Sequence, residues 1–345
     1  MSDRGAEAVL LLAHGTPNVL GEMAEYLGKV TGGRALPAEV VEELQHRYGE
    51  IGLREEALED GPPLTRWTLL QGTLLEEMLR SEGREVPVYV GMRNWHPYIA
   101  DVVAQMRGDG VTRVKAICLA PQNSRTSVGL YRRALMAAAS GMQVDFVAGW
   151  AEHPLLVQAF AERLWPVWAE ACAHSRRRVP VLFTAHSVPC RTIMTATSAA
   201  AGAAAAGRPG GTGVEPDSYP VEAKRTAELV AERLAVVGMR GSDWYFAFQS
   251  QGISGGPWIG PTVEDTLKAI KAEGHTGVVM QPVGFLCDHV EILYDIDIAF
   301  RETARELGLQ LWRAESLNDS AVLARALAGL VTGAYRADVD ESTQA

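Results

Sequence analysis

Seven short apolar runs, separated by longer stretches of helical periodicity, constrain this chain more than any other feature. The runs are Val9 to Ala13, Val88 to Val90, Val114 to Leu119, Val144 to Ala148, Val181 to Ala185, Trp244 to Phe248 and Val278 to Val283. Between them, residues 66–82, 97–107, 154–174, 221–237, 263–273 and 289–307 carry apolar side chains at helical spacing. Strands buried on both faces read as unbroken apolar runs, and parallel neighbours need a crossover between them. The alternation therefore predicts an α/β fold of parallel sheets flanked by helices. It passes through two halves with a seam near Gly149 to His153. The expected architecture is two Rossmann-like domains, 1–150 and 151–345, facing each other across a cleft, with a last helix free to pack back on the first domain.

Composition narrows the function. A chain of 345 residues with 47% hydrophobic and 21% charged side chains can bury a substantial core and is far from the disordered class. Lys plus Arg total 32 against 42 Asp plus Glu, a formal charge of -10, which argues against a nucleic-acid partner. No 18 consecutive apolar residues occur, so no transmembrane segment is expected. The early run Ala8 to Ala13 follows Asp3, Arg4 and Glu7 and does not read as a secretory leader, which makes the cytoplasm the expected address. Cys118, Cys172, Cys190 and Cys287 are scattered and are expected as reduced thiols. The Ala-, Gly- and Ser-rich stretch 196–216 reads as a surface loop, with a short helix over Ala199 to Ala206 as the alternative.

In open parallel sheets ligands collect beyond the carboxyl ends of strands. Four polar segments sit there: His14-Gly15-Thr16-Pro17, Pro121-Gln122-Asn123-Ser124, His186-Ser187-Val188-Pro189, and Gly284 through Glu291. An imidazole emerging at position 186 suits a general base, the alternative being a histidine that caps the next turn. Asp288, Glu291, Asp295 and Asp297 form an acidic ladder on a predicted helix, where Glu291 and Asp295 share a face at i and i+4; a solvated surface row is the alternative. Histidine with carboxylates and no thiolates suits Fe2+ and similar ions better than structural zinc. No Gly-x-Ser-x-Gly elbow supports a hydrolase, and Gly91-Met92-Arg93 and Gly252 to Gly256 lack the spacing and lysine of a nucleotide site.

Taken together, these motifs resemble the ferrochelatases, which insert Fe2+ into a porphyrin. The resemblance spans nearly the whole chain through Leu12 to Pro17, Gly91 to Pro97, Leu119-Ala120-Pro121 with Ser127-Val128 and Tyr131, Thr184 to Pro189, Phe248 to Gly252 with Pro257 to Pro261, Pro282 to Phe285 with Asp288 to Glu291, and Leu317-Asn318-Asp319. It implies a porphyrin cleft between two Rossmann-like domains. His14-Gly15-Thr16-Pro17 and the His46-Arg47-Tyr48 stretch look most like the soluble, monomeric branch that acts on coproporphyrin III, favoured here over protoporphyrin IX.

By this resemblance His186 and Glu291 are the catalytic pair, handling pyrrole protons and entering iron. Asp295 joins them as a metal ligand one turn outward, and His14, Arg34, Arg47, Ser124 and Tyr131 bind porphyrin or haem. The two arginines could equally be solvated surface residues. Relatives of the coproporphyrin branch often carry tyrosine where this chain has His14, so His14 is expected to ligate the iron of the product. Asn94, Ala299 and Pro62-Pro63 depart from the family pattern, which weakens a metal relay, an outer Mg2+ site and a serine contact at those places. Trp95 and Trp258 are candidates for stacking on the macrocycle or for core packing. No cysteine follows Cys287, so no 2Fe-2S cluster and no permanently bound cofactor are expected; Fe2+ and porphyrin are substrates, and other haem-pathway enzymes are possible partners. A cobalt or sirohydrochlorin chelatase and a non-catalytic haem carrier are the competing readings.

Overall fold

The structure, a computed structural model, describes residues 6–193, 216–252 and 256–335. It contains two four-stranded sheets, each wholly parallel. The first holds β1 (Ala6–Ala13), β2 (Val88–Met92), β3 (Val111–Cys118) and β4 (Gln143–Val147) in the order β2-β1-β3-β4. The second holds β5 (Val181–His186), β6 (Trp244–Gln249), β7 (Gly277–Pro282) and β8 (Gln310–Arg313) in the order β6-β5-β7-β8. The halves repeat one topology. In each, the chain leaves the first strand to one side and returns on its other side, so a crevice forms beyond that strand's carboxyl end. β1 and β5 are therefore equivalent, and the residues that follow them face a shared space.

The sheets are covered by α1 (Met23–Val30), α2 (Ala38–Glu50), α3 (Pro63–Ser81), α4 (Ile99–Gly108), α5 (Val128–Ala138) and α6 (Pro154–Ser175) in the first part of the chain. The short α7 (Cys190–Ile193), then α8 (Tyr219–Leu234), α9 (Val263–Ala272), α10 (Val290–Leu293), α11 (Arg301–Glu306) and α12 (Ala321–Thr332) follow. One apolar core joins the halves: Val9 and Leu11 of β1, Leu75 and Leu79 of α3, Phe160 and Leu164 of α6, Val181 and Phe183 of β5 and Leu323 and Leu327 of α12 belong to a single cluster. The last helix, α12, packs on both α3 and α6. Burial of this kind contributes about 25 cal/mol per Å2 of apolar surface, so the two sheets are held as one frame by the shared helices.

The predicted seven strands are present, and β8 is added at the sheet edge. The stretch expected as one helix over 289–307 is interrupted: α10 gives way to a π-helical turn at Asp295–Phe300 before α11 begins. Apart from Pro216, the Ala-rich segment 196–216 lies outside the described residues. All four cysteines are free. Among the described residues, no helix is long and apolar enough to cross a membrane.

Candidate active site

A cavity of about 430 Å3 lies beyond the carboxyl ends of the two sheets, within the size range of small-ligand sites. Its walls include His14 after β1, Arg93 after β2, Ser124 after β3, His186 at the end of β5, and Phe285 to Glu291 except Asp288 after β7. A larger groove of about 790 Å3 lies elsewhere, lined from α6 and α8 and including none of these residues.

Two glycines permit the approach of these loops. Gly15 has φ of +88°, and a Cβ there would stand 2.7 Å from the Trp95 backbone nitrogen. A Cβ on Gly284 would meet Ala185 Cα at 2.9 Å, so only glycine lets the loop after β7 lie against the end of β5. That contact carries Glu291 to His186.

His186 Nε2 is 2.9 Å from Glu291 Oε1, and the other carboxylate oxygen of Glu291 is 3.3 Å from His289 Nε2. The ring of His186 is fixed at its far side by Nδ1, which bonds the Ser187 carbonyl, and His289 Nδ1 meets the Cys287 carbonyl at 3.0 Å. The Gln249 amide donates to the Glu291 backbone carbonyl at 2.6 Å, tying β6 to α10. Burial alone would lower the basicity of His186, but the Glu291 carboxylate and the Ser187 carbonyl outweigh it and raise its pKa to about 9. Burial opposes ionisation of Glu291, yet the two imidazoles hold it well below the usual carboxylate range. At neutral pH the pair is an imidazolium and a carboxylate.

His14 occupies the equivalent strand end in the other half. Burial, reinforced by the nearby Arg93 guanidinium, lowers its pKa to about 4, and His186, His289 and Glu291 act on it across the space between. It is a neutral imidazole at pH 7. The Asn94 side-chain nitrogen lies 3.0 Å from His14 Nε2 and 3.3 Å from Nδ1. The cavity thus sets an uncharged imidazole on one wall and a proton-holding pair on the other. Tyr26 and Tyr48 line the floor, both buried; burial raises their phenols, that of Tyr48 to about 12.

The structure brings together His14, Ser124, Tyr131, His186 and Glu291 among the sequence-derived candidates. Arg34, Arg47 and Asp295 are not among the wall residues of the cavity. Arg34 is exposed in the loop between α1 and α2. Arg47 pairs with Glu43 at 2.9 Å, approaches Asp295 at 4.0 Å and covers the Tyr294 ring. Asp295 accepts a hydrogen bond from Ser250 and is not a wall residue of the cavity; burial raises its pKa to about 6, with Glu291 adding to the rise.

The acidic ladder is also broken up. Arg313 takes Asp297 through two bonds of 2.8 Å and reaches Asp288 at 3.3 Å, while Ser316 and Asn318 complete Asp288. These two carboxylates brace the loop instead of facing the cavity. Among the described residues no three His, Cys, Asp or Glu side chains converge as a metal-holding group, so the expected trio of His186, Glu291 and Asp295 is not assembled. Trp95 is buried core beside Tyr26, whereas Trp258 lines the cavity near His186.

Comparison with known proteins decides the family. The ferrochelatase family model matches residues 6–335. The chain belongs to the ferrochelatase family. Ferrochelatases insert a metal into porphyrin, and a ferrochelatase from Acidobacterium capsulatum is 57% identical over 339 residues, covering 98% of this chain and 97% of its own. A ferrochelatase from Herpetosiphon aurantiacus is 38% identical, covering 94% and 98%. A protein named coproporphyrin III ferrochelatase from Geobacillus kaustophilus is 30% identical, covering 94% of each chain. Among solved structures, the sirohydrochlorin chelatase SirB of Bacillus subtilis superposes with a TM-score of 0.51 at 10% identity, covering 95% of this ferrochelatase and 94% of SirB; this likeness speaks to the fold alone.

Sequence reasoning quoted His289 within a motif but gave it no role, and it left the Asn94–His14 contact unseen. The signal for the second was present: Ala13 and Met92 are register partners of adjacent parallel strands, so the residues just beyond them must be neighbours.

Proposed function

We propose that this ferrochelatase inserts Fe2+ into coproporphyrin III in preference to protoporphyrin IX, with His186 and Glu291 handling the protons. The observation that carries the reading is the 2.9 Å His186–Glu291 contact on one wall of a cavity whose other wall presents neutral His14. Metal insertion replaces two pyrrole protons by one dication, so a competent site must accept protons beside the place where the metal enters. His186 already carries a proton at neutral pH, so that proton leaves to solvent by way of Glu291 as the dication arrives, freeing Nε2 for the metal. Glu291, with both carboxylate oxygens on imidazoles, relays the two pyrrole protons outward to solvent in turn. His14, uncharged, supplies a lone pair to iron once the metal is in the macrocycle.

Asp295, held by Ser250 beside Arg47, stands outside this pair as an acidic step on the metal's approach. Ser124 and Tyr131 meet the carboxylate rim of the porphyrin, where coproporphyrin III offers more carboxylates than protoporphyrin IX. The 30% identity to proteins named coproporphyrin III ferrochelatases favours the same choice. Anaerobic Fe2+ insertion assayed with each porphyrin tests it: kcat/KM is expected to be at least about tenfold higher for coproporphyrin III. Equal values, or preference for protoporphyrin IX, refute the assignment.

A further inference from the structure

Arg93 is the one arginine among the described residues that line the cavity, and no lysine joins it. Its backbone nitrogen continues the sheet by donating to the Ala13 carbonyl at 3.0 Å, which fixes where the side chain starts. Among the described residues no salt bridge and no side-chain hydrogen bond reaches the guanidinium, and its Nε is buried without a partner. Elsewhere the arginines Arg163, Arg178, Arg225 and Arg313 each hold at least one carboxylate. Arg93 is only partly buried, but its Nε is out of contact with water and unpaired, and an anionic ligand in the cavity would satisfy that donor and the charge it belongs to.

Polar side chains line the same cavity. Tyr131 feels the charge of Arg93, and Ser124 and Thr126, whose hydroxyls are 2.9 Å apart, are wall residues with it. A planar guanidinium matches a carboxylate through two parallel N–H donors, and neighbouring hydroxyls fill the remaining acceptor positions.

We propose that Arg93 is a carboxylate-binding residue, holding one propionate of the tetrapyrrole together with the Ser124 and Tyr131 hydroxyls. It takes the part that sequence reasoning gave to Arg34 and Arg47, which do not line the cavity. The proposal rests on the tetrapyrrole reading and specifies which charge recognises the substrate's rim.

The test is fluorescence titration of the full-length protein with metal-free coproporphyrin III and with its tetramethyl ester in neutral detergent micelles. Without metal, ligation by His14 cannot contribute. In Arg93→Gln the ratio of acid to ester affinity should fall about tenfold or more, with ester affinity unchanged, and Arg93→Lys should restore most of the loss. Unchanged ester binding also reports an intact cavity. An acid affinity that does not move, or acid and ester affinities that fall together in both variants, overturns the proposal while leaving the tetrapyrrole reading in place. Failure of the unaltered chain to bind either pigment overturns both.

Discussion

Glu291 bridges two imidazoles, with His186 at 2.9 Å on one oxygen and His289 at 3.3 Å on the other. The first of these contacts joins the end of β5 to the helix that follows β7, so the proton-handling pair exists only because neighbouring strands end together. Its chemistry follows from charge. The carboxylate keeps His186 protonated at neutral pH, and His186 keeps Glu291 ionised.

Removing that carboxylate should therefore act on the imidazole. In Glu291→Gln the His186 pKa, about 9 in the native chain, should drop towards the ordinary 6.5, because burial is then opposed only by the Ser187 carbonyl and the charge of Asp295. Histidine NMR titration measures it. Because the group is raised in the folded state, its stabilising effect is complete below pH 6.5 and is lost as pH rises through about 9. The Tm difference between the native chain and Glu291→Gln should shrink over that window. His186 and Glu291 are partners in one interaction, so this is a single effect seen from either group.

The same proton competes with iron. Fe2+ can use His186 Nε2 only after deprotonation, so the apparent KM for Fe2+ should fall as pH rises from 7 towards 9, approaching about tenfold per unit. Steady-state insertion at fixed porphyrin concentration reads it out. A flat profile would detach His186 from metal entry.

Asp295 offers a stability test of opposite character. Its pKa is raised from 3.8 to about 6 by burial, so the neutral form is favoured and its ionisation costs stability, a loss that builds as pH rises from about 3.8 to about 6 and is complete above that. Asp295→Asn should raise Tm at pH 7.5 by about 3 °C and have little effect at pH 4. Its cost in activity should be confined to the Fe2+ dependence, leaving porphyrin KM unchanged.

Gly284 tests the loop geometry. In Gly284→Ala the added Cβ would stand 2.9 Å from Ala185 Cα, backbone that cannot rotate away. The loop must move off β5, at a cost of about 1–3 kcal/mol in stability and with separation of Glu291 from His186. Chemical denaturation and the His186 titration should report both changes in the same variant.

His14 governs the product. With haem bound, His14→Ala should shift the Soret band and speed product release, because the neutral imidazole is the iron's proposed partner on that wall. Stopped-flow transfer of haem to an apo-acceptor checks the rate. An unmoved spectrum removes the ligand role.

Much of this was legible in the sequence because unbroken apolar runs mark strands buried on both faces, and polar residues at their ends mark the crevice. β8 was missed because Gln310–Arg313 is four residues long with a half-polar pattern at a sheet edge. The acidic ladder was misread for a different reason. Even spacing assumes a continuous α-helix, but Tyr294 leads into a π-helical turn, and the residues after Glu291 rotate towards Ser250 and Arg313. Arg34 and Arg47 could not be judged, since no periodicity says where a long charged side chain ends. Arg93 could have been found from strand register with β1, as could Asn94.

The pairing of His186 with Glu291 is tested most directly by anaerobic single-turnover insertion of Fe2+ into pre-bound coproporphyrin III in the native chain, His186→Ala and Glu291→Gln. Insertion is expected to slow at least about 100-fold in both variants while porphyrin affinity stays within about twofold. Native-like insertion rates in either variant would contradict the pair's role.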